Sequence, residues 1–137
     1  MQDRFGHSIS YLRVSITDRC NERCTYCMPQ ELQEWLPREE ILSFEETLRI
    51  IRVAAKLGVS KVRVTGGEPL TRRDIVHFIG QIPEISGIKS LGLSTNGTLL
   101  ARAMTTGEPM ANALRRTGVN SVNISLDTLD RELPALV

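Results

Sequence analysis

The three cysteines of this chain, Cys20, Cys24 and Cys27, all lie in one short loop with the spacing C-x3-C-x2-C. No other cysteine occurs in the 137 residues. Thiolates are the preferred protein ligands of zinc and of iron–sulfur clusters, so grouped thiols of this kind predict a metal site. An odd number of cysteines in a single loop is a poor framework for disulfide bonds.

The number of available ligands narrows the choice of metal. A structural zinc site takes four protein ligands, and neither His7 nor His77 lies at a finger-like distance from the three cysteines. A [4Fe-4S] cluster held by three thiolates keeps one iron open for a substrate or a cofactor. The spacing therefore favours an open cluster. A cluster with a purely structural or electron-transfer role, and an adventitious zinc site, remain alternatives.

Four motifs resemble segments of one enzyme superfamily. Residues 15–29 are similar to the cluster loop of radical S-adenosylmethionine enzymes, C-x3-C-x-aromatic-C, with Tyr26 as the aromatic residue. Within that superfamily the lead-in at residues 11–18 most resembles the GTP 3′,8-cyclase family of molybdenum-cofactor biosynthesis. The Gly-Gly-Glu segment at 61–69, the Thr-Asn-Gly turn at 94–97 and residues 123–127 follow in the family's order. The resemblance covers nearly the whole chain except residues 104–110, which look like an insertion.

The resemblance implies a cluster and a cofactor site. Cys20, Cys24 and Cys27 would hold the [4Fe-4S] cluster, whose open iron is chelated in the superfamily by the methionine amino and carboxylate groups of S-adenosylmethionine. Electron transfer then cleaves the carbon–sulfur bond and yields a 5′-deoxyadenosyl radical. The positions that match the family's contacts to this cofactor are Tyr26, Gly67 (through its backbone), Glu68 and Ser125.

The same resemblance implies GTP as the substrate. Arg13, Arg63 and Ser94 match GTP-contacting positions of the family, and Ser94 replaces its usual threonine, which keeps the hydroxyl but removes a methyl group. Both arginines also lie on the polar phase of predicted strands, where a guanidinium buried without an anion is costly. A triphosphate supplies that anion through bidentate hydrogen bonds. In the family the radical removes the ribose 3′ hydrogen and the new carbon radical attacks C8 of guanine, the first step of molybdopterin synthesis.

Four short segments with alternating apolar residues predict the strands that carry these motifs. Amphipathic stretches separate the segments, so we predict βαβ units, a parallel sheet and an α/β fold of about four units of an incomplete, TIM-like radical SAM barrel. The apolar positions are Leu12, Val14 and Ile16; Val62 and Val64; Leu91 and Leu93; Val122, Ile124 and Leu126.

Three helices are predicted between the strands. The first spans residues 44–57, with a capping box from Ser43 and Glu46 and with Gly58 as a left-handed C-terminal cap. The second is expected to start near Thr71 or Arg72, to bury Ile75, Phe78 and Ile82, and to stop before Pro83. The third covers residues 110–117 and ends at Gly118.

The other face of the predicted strands carries polar or small residues. Strands buried on both faces are usually continuous runs of valine, isoleucine and leucine, so this face is expected to be concave and to line a ligand cavity. The cysteine loop and Gly66-Gly67 follow the first two strands, at the carboxyl ends where α/β proteins place their sites. The positions are Arg13, Ser15 and Thr17; Arg63 and Thr65; Gly92, Ser94 and Asn96; Asn123, Ser125 and Asp127.

Composition sets broad limits on function. Hydrophobic residues make up 41% and charged residues 24%, which is ordinary for a globular domain with a core of its own. A net charge of +1 produces no strong positive potential that would attract a nucleic acid, so nucleic-acid binding is not predicted. The chain has no apolar run long enough to span a membrane and no signal-like start, so a reducing cytoplasm is the expected location.

Length is the main discrepancy with the family. Its members are more than twice as long and carry a carboxyl-terminal set of three cysteines for a second cluster, so residues 1–137 are interpreted as the amino-terminal part of a radical SAM core, unlikely to complete cyclisation alone. The family's partners would be an electron donor and the next enzyme, cyclic pyranopterin monophosphate synthase, and its members can dimerise. Two alternatives stay open: another radical enzyme of the peptide-modifying type, and a non-catalytic iron–sulfur or zinc module.

Overall fold

A parallel sheet of four strands organises the computed structural model, which describes residues 2–27 and 35–130. The strands are β1 (Tyr11–Ser15), β2 (Lys61–Thr65), β3 (Ser90–Thr95) and β4 (Ser121–Ile124), and the helices between them are α1 (Phe44–Lys56), α2 (Ile75–Gln81) and α3 (Met110–Arg115). Two 3-10 turns lie at Arg38–Glu40 and Pro69–Thr71. The predicted α/β class and the alternation of strands and helices are confirmed.

The strands lie side by side in chain order, β1-β2-β3-β4, and each neighbouring pair is parallel. The register aligns Leu12 with Val62 and Val62 with Leu91, so the apolar positions of the first three strands share one face. This arrangement confirms the shared phase that the sequence predicts. All carboxyl ends consequently meet at one edge of the sheet.

The core lies between the apolar face of the sheet and the helices. Val64, Leu93, Ile51 and Ile79 are completely buried there, and burial of each such side chain stabilises the fold by about 1.5–3 kcal/mol. Phe78 of α2 is also buried and stacks on Phe44 of α1, with ring centroids 4.3 Å apart. Both helices are thereby fixed against the strands whose ends carry the site.

Local signals define α1 well. Ser43 accepts a hydrogen bond from the Glu46 backbone, and the Glu46 carboxylate accepts one from the Ser43 backbone, so the predicted capping box is present. Gly58 follows the helix with φ +100°, as a left-handed cap requires. The helix itself ends at Lys56, one residue earlier than predicted.

The second and third helices are shorter than predicted. Pro69–Thr71 forms a 3-10 turn, and Asp74 adopts a left-handed conformation with φ +60°, so α2 begins only at Ile75. Its predicted buried residues Phe78 and Ile82 do lie in the core. The α3 helix begins at Met110 as predicted but ends at Arg115.

The apolar side chains of β4 are only partly covered, unlike those of β2 and β3. Val122 is 46% exposed and Ile124 is 55% exposed. The described residues that follow β4, 125–130, form no helix that could cover this face. Among the helices of the described ranges, none combines the length and apolar character that crossing a membrane requires.

Candidate functional site

The carboxyl ends of the four strands bring the predicted motifs together. The cysteine loop follows β1, the Gly-Gly-Glu segment follows β2, the Thr-Asn-Gly turn closes β3, and Ser125 follows β4. The ladders continue beyond the strands, because Ile16 N donates to Thr65 O (3.0 Å) and Ser125 N donates to Thr95 O (2.9 Å). These segments are therefore held in register with one another at this edge.

Gly66 and Gly67 allow the backbone after β2 to lie directly against the lead-in to Cys20. Gly67 N donates to Thr17 O at 2.7 Å, and an added Cβ at Gly67 would lie 2.4 Å from Arg19 O. A Cβ at Gly66 would lie 2.7 Å from Thr17 O. Neither glycine has a positive φ, so close approach and not a left-handed turn is what requires glycine here.

Glu68 is turned into the protein. Its side chain is only 1% exposed, and both carboxylate oxygens accept hydrogen bonds. Oε1 accepts from Leu70 N and from Thr95 Oγ1, each at 2.9 Å, and Oε2 accepts from Asn96 N at 2.7 Å. A buried carboxylate needs such partners. It joins the segment after β2 to the end of β3.

Asn96 connects the end of β3 to the cysteine loop. Its Nδ2 donates to Asn21 Oδ1 at 3.1 Å and lies 3.9 Å from Cys20 Sγ. Asn21 in turn donates from Nδ2 to Thr98 Oγ1 at 2.8 Å. The cysteine loop is thus held by side chains from a turn more than seventy residues later.

All three cysteines are free thiols. Cys20 and Cys24 are half-buried and Cys27 is exposed. Cys20 Sγ accepts a hydrogen bond from Glu22 N at 3.4 Å, while burial raises the pKa of its thiol. Within the described ranges no three histidine, cysteine or acidic side chains converge on one metal position. Three soft donors on one loop, with N–H groups at the first sulfur, fit a thiolate-bound iron–sulfur group.

Tyr26, between the second and third cysteines, contacts the segment that follows β4. Its hydroxyl donates to Asp127 Oδ1 at 2.8 Å, although the two residues are 101 positions apart. This hydrogen bond raises the pKa of the Tyr26 hydroxyl above its ordinary value. The contact spans from β1 to β4 across the edge where the cysteines lie.

Arg13 and Arg63 are direct neighbours on the polar face of the sheet. The register pairs Arg13 with Arg63, Arg63 with Gly92 and Gly92 with Ser121. Residues paired across adjacent strands extend from the same face, so the two side chains start from adjacent positions on the polar face. In the part of the chain that the structure describes, neither forms an ion pair with a carboxylate.

Gly92 provides the room for the Arg63 side chain. An added Cβ at Gly92 would lie 2.8 Å from Arg63 Cζ. The guanidinium crosses this position and donates to Leu93 O at 3.2 Å and to Ser121 Oγ at 3.1 Å. Ser94 is half-buried and pairs in register with Asn123 of β4. The Arg63 side chain therefore lies across the centre of the polar face. It is level with Gly92, which precedes Ser94 by two residues in β3.

Two cavities lie outside this arrangement. One of about 830 Å³, between the C-terminal ends of α1 and α2, contains none of the predicted site residues. Another of about 450 Å³ lies beside Thr17 and Arg72, at the N-terminal end of α1. Arg72 has structural contacts there, since it donates to Ile16 O and Leu42 O and lies over the Phe44 ring.

The sequence placed Gly92, Asn96 and Asp127 on the polar, cavity-lining face without assigning a contact to any of them, and it did not name Ser121. A glycine within a strand pattern signals close approach of another group, which could have identified Gly92. Asn96 belongs to the Thr-Asn-Gly turn, but the sequence predicted no contact for its side chain. The contacts of Asp127 to Tyr26 and of Ser121 to Arg63 have no local signal, because they depend on which strands are neighbours.

Comparisons with known proteins agree with this geometry. A family model described as the Radical SAM superfamily matches residues 14–137. The chain is 49% identical over 131 residues to a GTP 3′,8-cyclase of Thermodesulfovibrio yellowstonii and 51% identical over 127 residues to that of Geobacter sulfurreducens. These two matches span 95% and 93% of this chain but only 38% and 37% of the relatives.

Two solved structures share the fold. BtrN in complex with AdoMet and 2-DOIA is 17% identical, with a TM-score of 0.60 over 90% of this chain and 46% of that one. Streptococcus suis SuiB bound to the precursor peptide SuiA is 24% identical, with a TM-score of 0.65 over 88% of this chain and 25% of that one. At these identities the likeness concerns the arrangement of strands and helices.

Proposed function

This chain belongs to the radical SAM superfamily, and on that basis we propose that it is the cluster-bearing, amino-terminal part of a GTP 3′,8-cyclase. The high identity to curated cyclases over nearly the whole chain supports the proposal. The single structural observation that carries it is the register that pairs Arg13 with Arg63 on the polar face of the sheet, whose carboxyl edge carries the cysteine loop.

Cys20, Cys24 and Cys27 would hold the [4Fe-4S] cluster. When bound, the cluster supplies the electron that cleaves S-adenosylmethionine to a 5′-deoxyadenosyl radical. The protein contributes the loop and its support. Gly67 and Thr17 keep the lead-in to Cys20 against β2 through their backbone hydrogen bond.

Tyr26, Gly67, Glu68 and Ser125 are proposed to surround S-adenosylmethionine. All four follow strand ends at the same edge of the sheet. Gly67 would act through its backbone, as the sequence predicts. The Glu68 carboxylate already accepts three hydrogen bonds. We therefore propose that Glu68 acts by holding Asn96, and its own neighbour Gly67, in position around the cofactor.

Arg13, Arg63 and Ser94 are proposed to bind GTP. Arg13 is exposed and Arg63 is half-buried, and neither pairs with a carboxylate in the described ranges, so a triphosphate on this face would supply both with charge-assisted hydrogen bonds. Ser94 belongs to the same polar face, on β3, which is the strand next to that of Arg63. Reaction would then require the nucleotide to extend from this face toward the cysteine loop.

The chain spans less than two fifths of its curated relatives. The second cluster, the electron donor, dimer formation and transfer of product to cyclic pyranopterin monophosphate synthase belong to the proposal for the longer protein. The likeness to SuiB concerns the fold, and two arginines on one face suit a polyanion. No observation at this site favours a peptide substrate.

Anaerobic reconstitution tests the cluster directly. We expect about four iron and four sulfide per chain, and an electron paramagnetic resonance signal of the reduced cluster that changes when S-adenosylmethionine is added, because an open iron accepts new ligands. Bound zinc without sulfide would support the zinc module instead. A spectrum that the cofactor leaves unchanged would contradict the open iron.

Arg63→Ala is expected to weaken GTP binding by about tenfold or more, because a hydrogen bond to a charged group contributes about 1.5–3 kcal/mol. Arg63→Lys should recover only part of this affinity, since an ammonium group cannot form the bidentate contact. Calorimetric titration with GTP measures both. Arg49→Ala, an exposed arginine of α1, is the matched control. Equal affinity in all four proteins would refute the GTP assignment.

A further inference from the structure

The side-chain amide of Asn96 is placed at the sulfur of the first cysteine. Its Nδ2 lies 3.9 Å from Cys20 Sγ and 3.1 Å from Asn21 Oδ1. An amide nitrogen carries two hydrogens, and Asn21 Oδ1, the Cys20 sulfur and the Glu22 carboxylate are the acceptors within its reach. Cys20 is also the cysteine that receives a backbone hydrogen bond, from Glu22 N. Its sulfur thus has two N–H groups within reach.

The orientation of this amide follows from its partners. Asn96 Oδ1 accepts from Thr98 N at 3.1 Å, and a backbone N–H can only donate. The oxygen must therefore face Thr98, and Nδ2 must face Asn21 and Cys20.

The backbone of Asn96 is anchored as well. Asn96 N donates to Glu68 Oε2 at 2.7 Å, and Thr95 Oγ1 donates to Glu68 Oε1 at 2.9 Å. The Glu68 side chain is buried. Because a buried, fully hydrogen-bonded carboxylate has little freedom, it holds the turn that presents the Asn96 amide to the cysteine loop.

We propose that Asn96 is a positioning residue that tunes the cluster, its amide donating a hydrogen bond to the Cys20 sulfur. The inference rests on the proposed function, since it needs the cluster that the cysteines would hold. Hydrogen bonds to cluster sulfurs offset the negative charge gained on reduction and so raise the reduction potential. Asn96 thereby makes the cluster easier to reduce, and Glu68 acts through Asn96.

A redox titration of the reconstituted chain, followed by electron paramagnetic resonance, tests this role. In Asn96→Ala we expect about a tenfold smaller ratio of reduced to oxidised cluster at a fixed potential, which is a fall of about 59 mV in the midpoint of a one-electron couple. Asn96→Asp keeps the shape and the acceptor for Thr98 N but replaces the donor with a carboxylate oxygen. Its midpoint should fall at least as far.

Thr98→Ala is the control for loosening of the turn. It removes the hydroxyl that contacts Asn96 Oδ1 and Asn21 Nδ2, but it keeps the backbone donor and the Asn96 amide. We expect its midpoint to stay at the wild-type value. A fall equal to that of Asn96→Ala would overturn the proposal in favour of general support of the turn.

The outcomes separate this inference from the function on which it rests. A cluster that forms normally and keeps its midpoint in both Asn96 variants overturns the tuning role alone. Failure of both variants to assemble a cluster that the wild type assembles also overturns it, since Asn96 would then be needed for assembly. A wild-type chain that binds no cluster overturns the proposed function and the inference together.

Discussion

A chain in which Cys24 is replaced by alanine is expected to retain less than about a tenth of the wild-type cluster after anaerobic reconstitution. The chain has only three thiols, and each is assigned to one iron. Two thiolates would leave two irons without protein ligands. Iron and sulfide content, together with the visible absorbance of the cluster, measure the loss.

The fold itself should tolerate this replacement. Cys24 is half-buried, and its sulfur makes a long contact, 4.0 Å, to Glu22 Oε2. Thr25→Ala, at an exposed position in the same loop, is the matched control and should keep the full iron content. Unchanged iron in the Cys24 variant would show that the three cysteines do not act as one ligand set.

Gly67→Ala is expected to destabilise the chain by about 1–3 kcal/mol and to reduce cluster uptake severely, because the added Cβ would lie 2.4 Å from Arg19 O and 2.6 Å from Arg19 C. Both atoms belong to the backbone, so no side-chain rotation relieves the clash. The lead-in to Cys20 must move away from β2. Urea unfolding gives the loss of stability, and iron content gives the loss of uptake.

Gly80→Ala supplies the comparison for this variant. Gly80 lies inside α2, and an added Cβ would meet only Thr117, with its closest atom 3.8 Å away. Alanine in a helix interior is favoured over glycine by about 0.5–1 kcal/mol, so this variant should be at least as stable as the wild type. Equal behaviour of the two alanine variants would contradict the role assigned to close approach at Gly67.

The local elements of the fold could be predicted because their signals are local. The capping box of α1 involves Ser43 and Glu46, three positions apart, and the strands follow from apolar residues that alternate every second position. Local conformations that carry no such signal were missed. The left-handed Asp74, which delays α2, is the clearest example, because this conformation is uncommon for residues other than glycine.

By itself the sequence predicted a thiolate site and determined the alternation of strands and helices, since residue type and spacing along the chain are the signals for both. Tertiary structure alone decided that Arg13 lies beside Arg63, that the Glu68 carboxylate turns inward, and that Asn96 reaches Cys20. These contacts join residues up to 76 positions apart. They depend on the pairing and register of the strands, which no short window of the sequence contains.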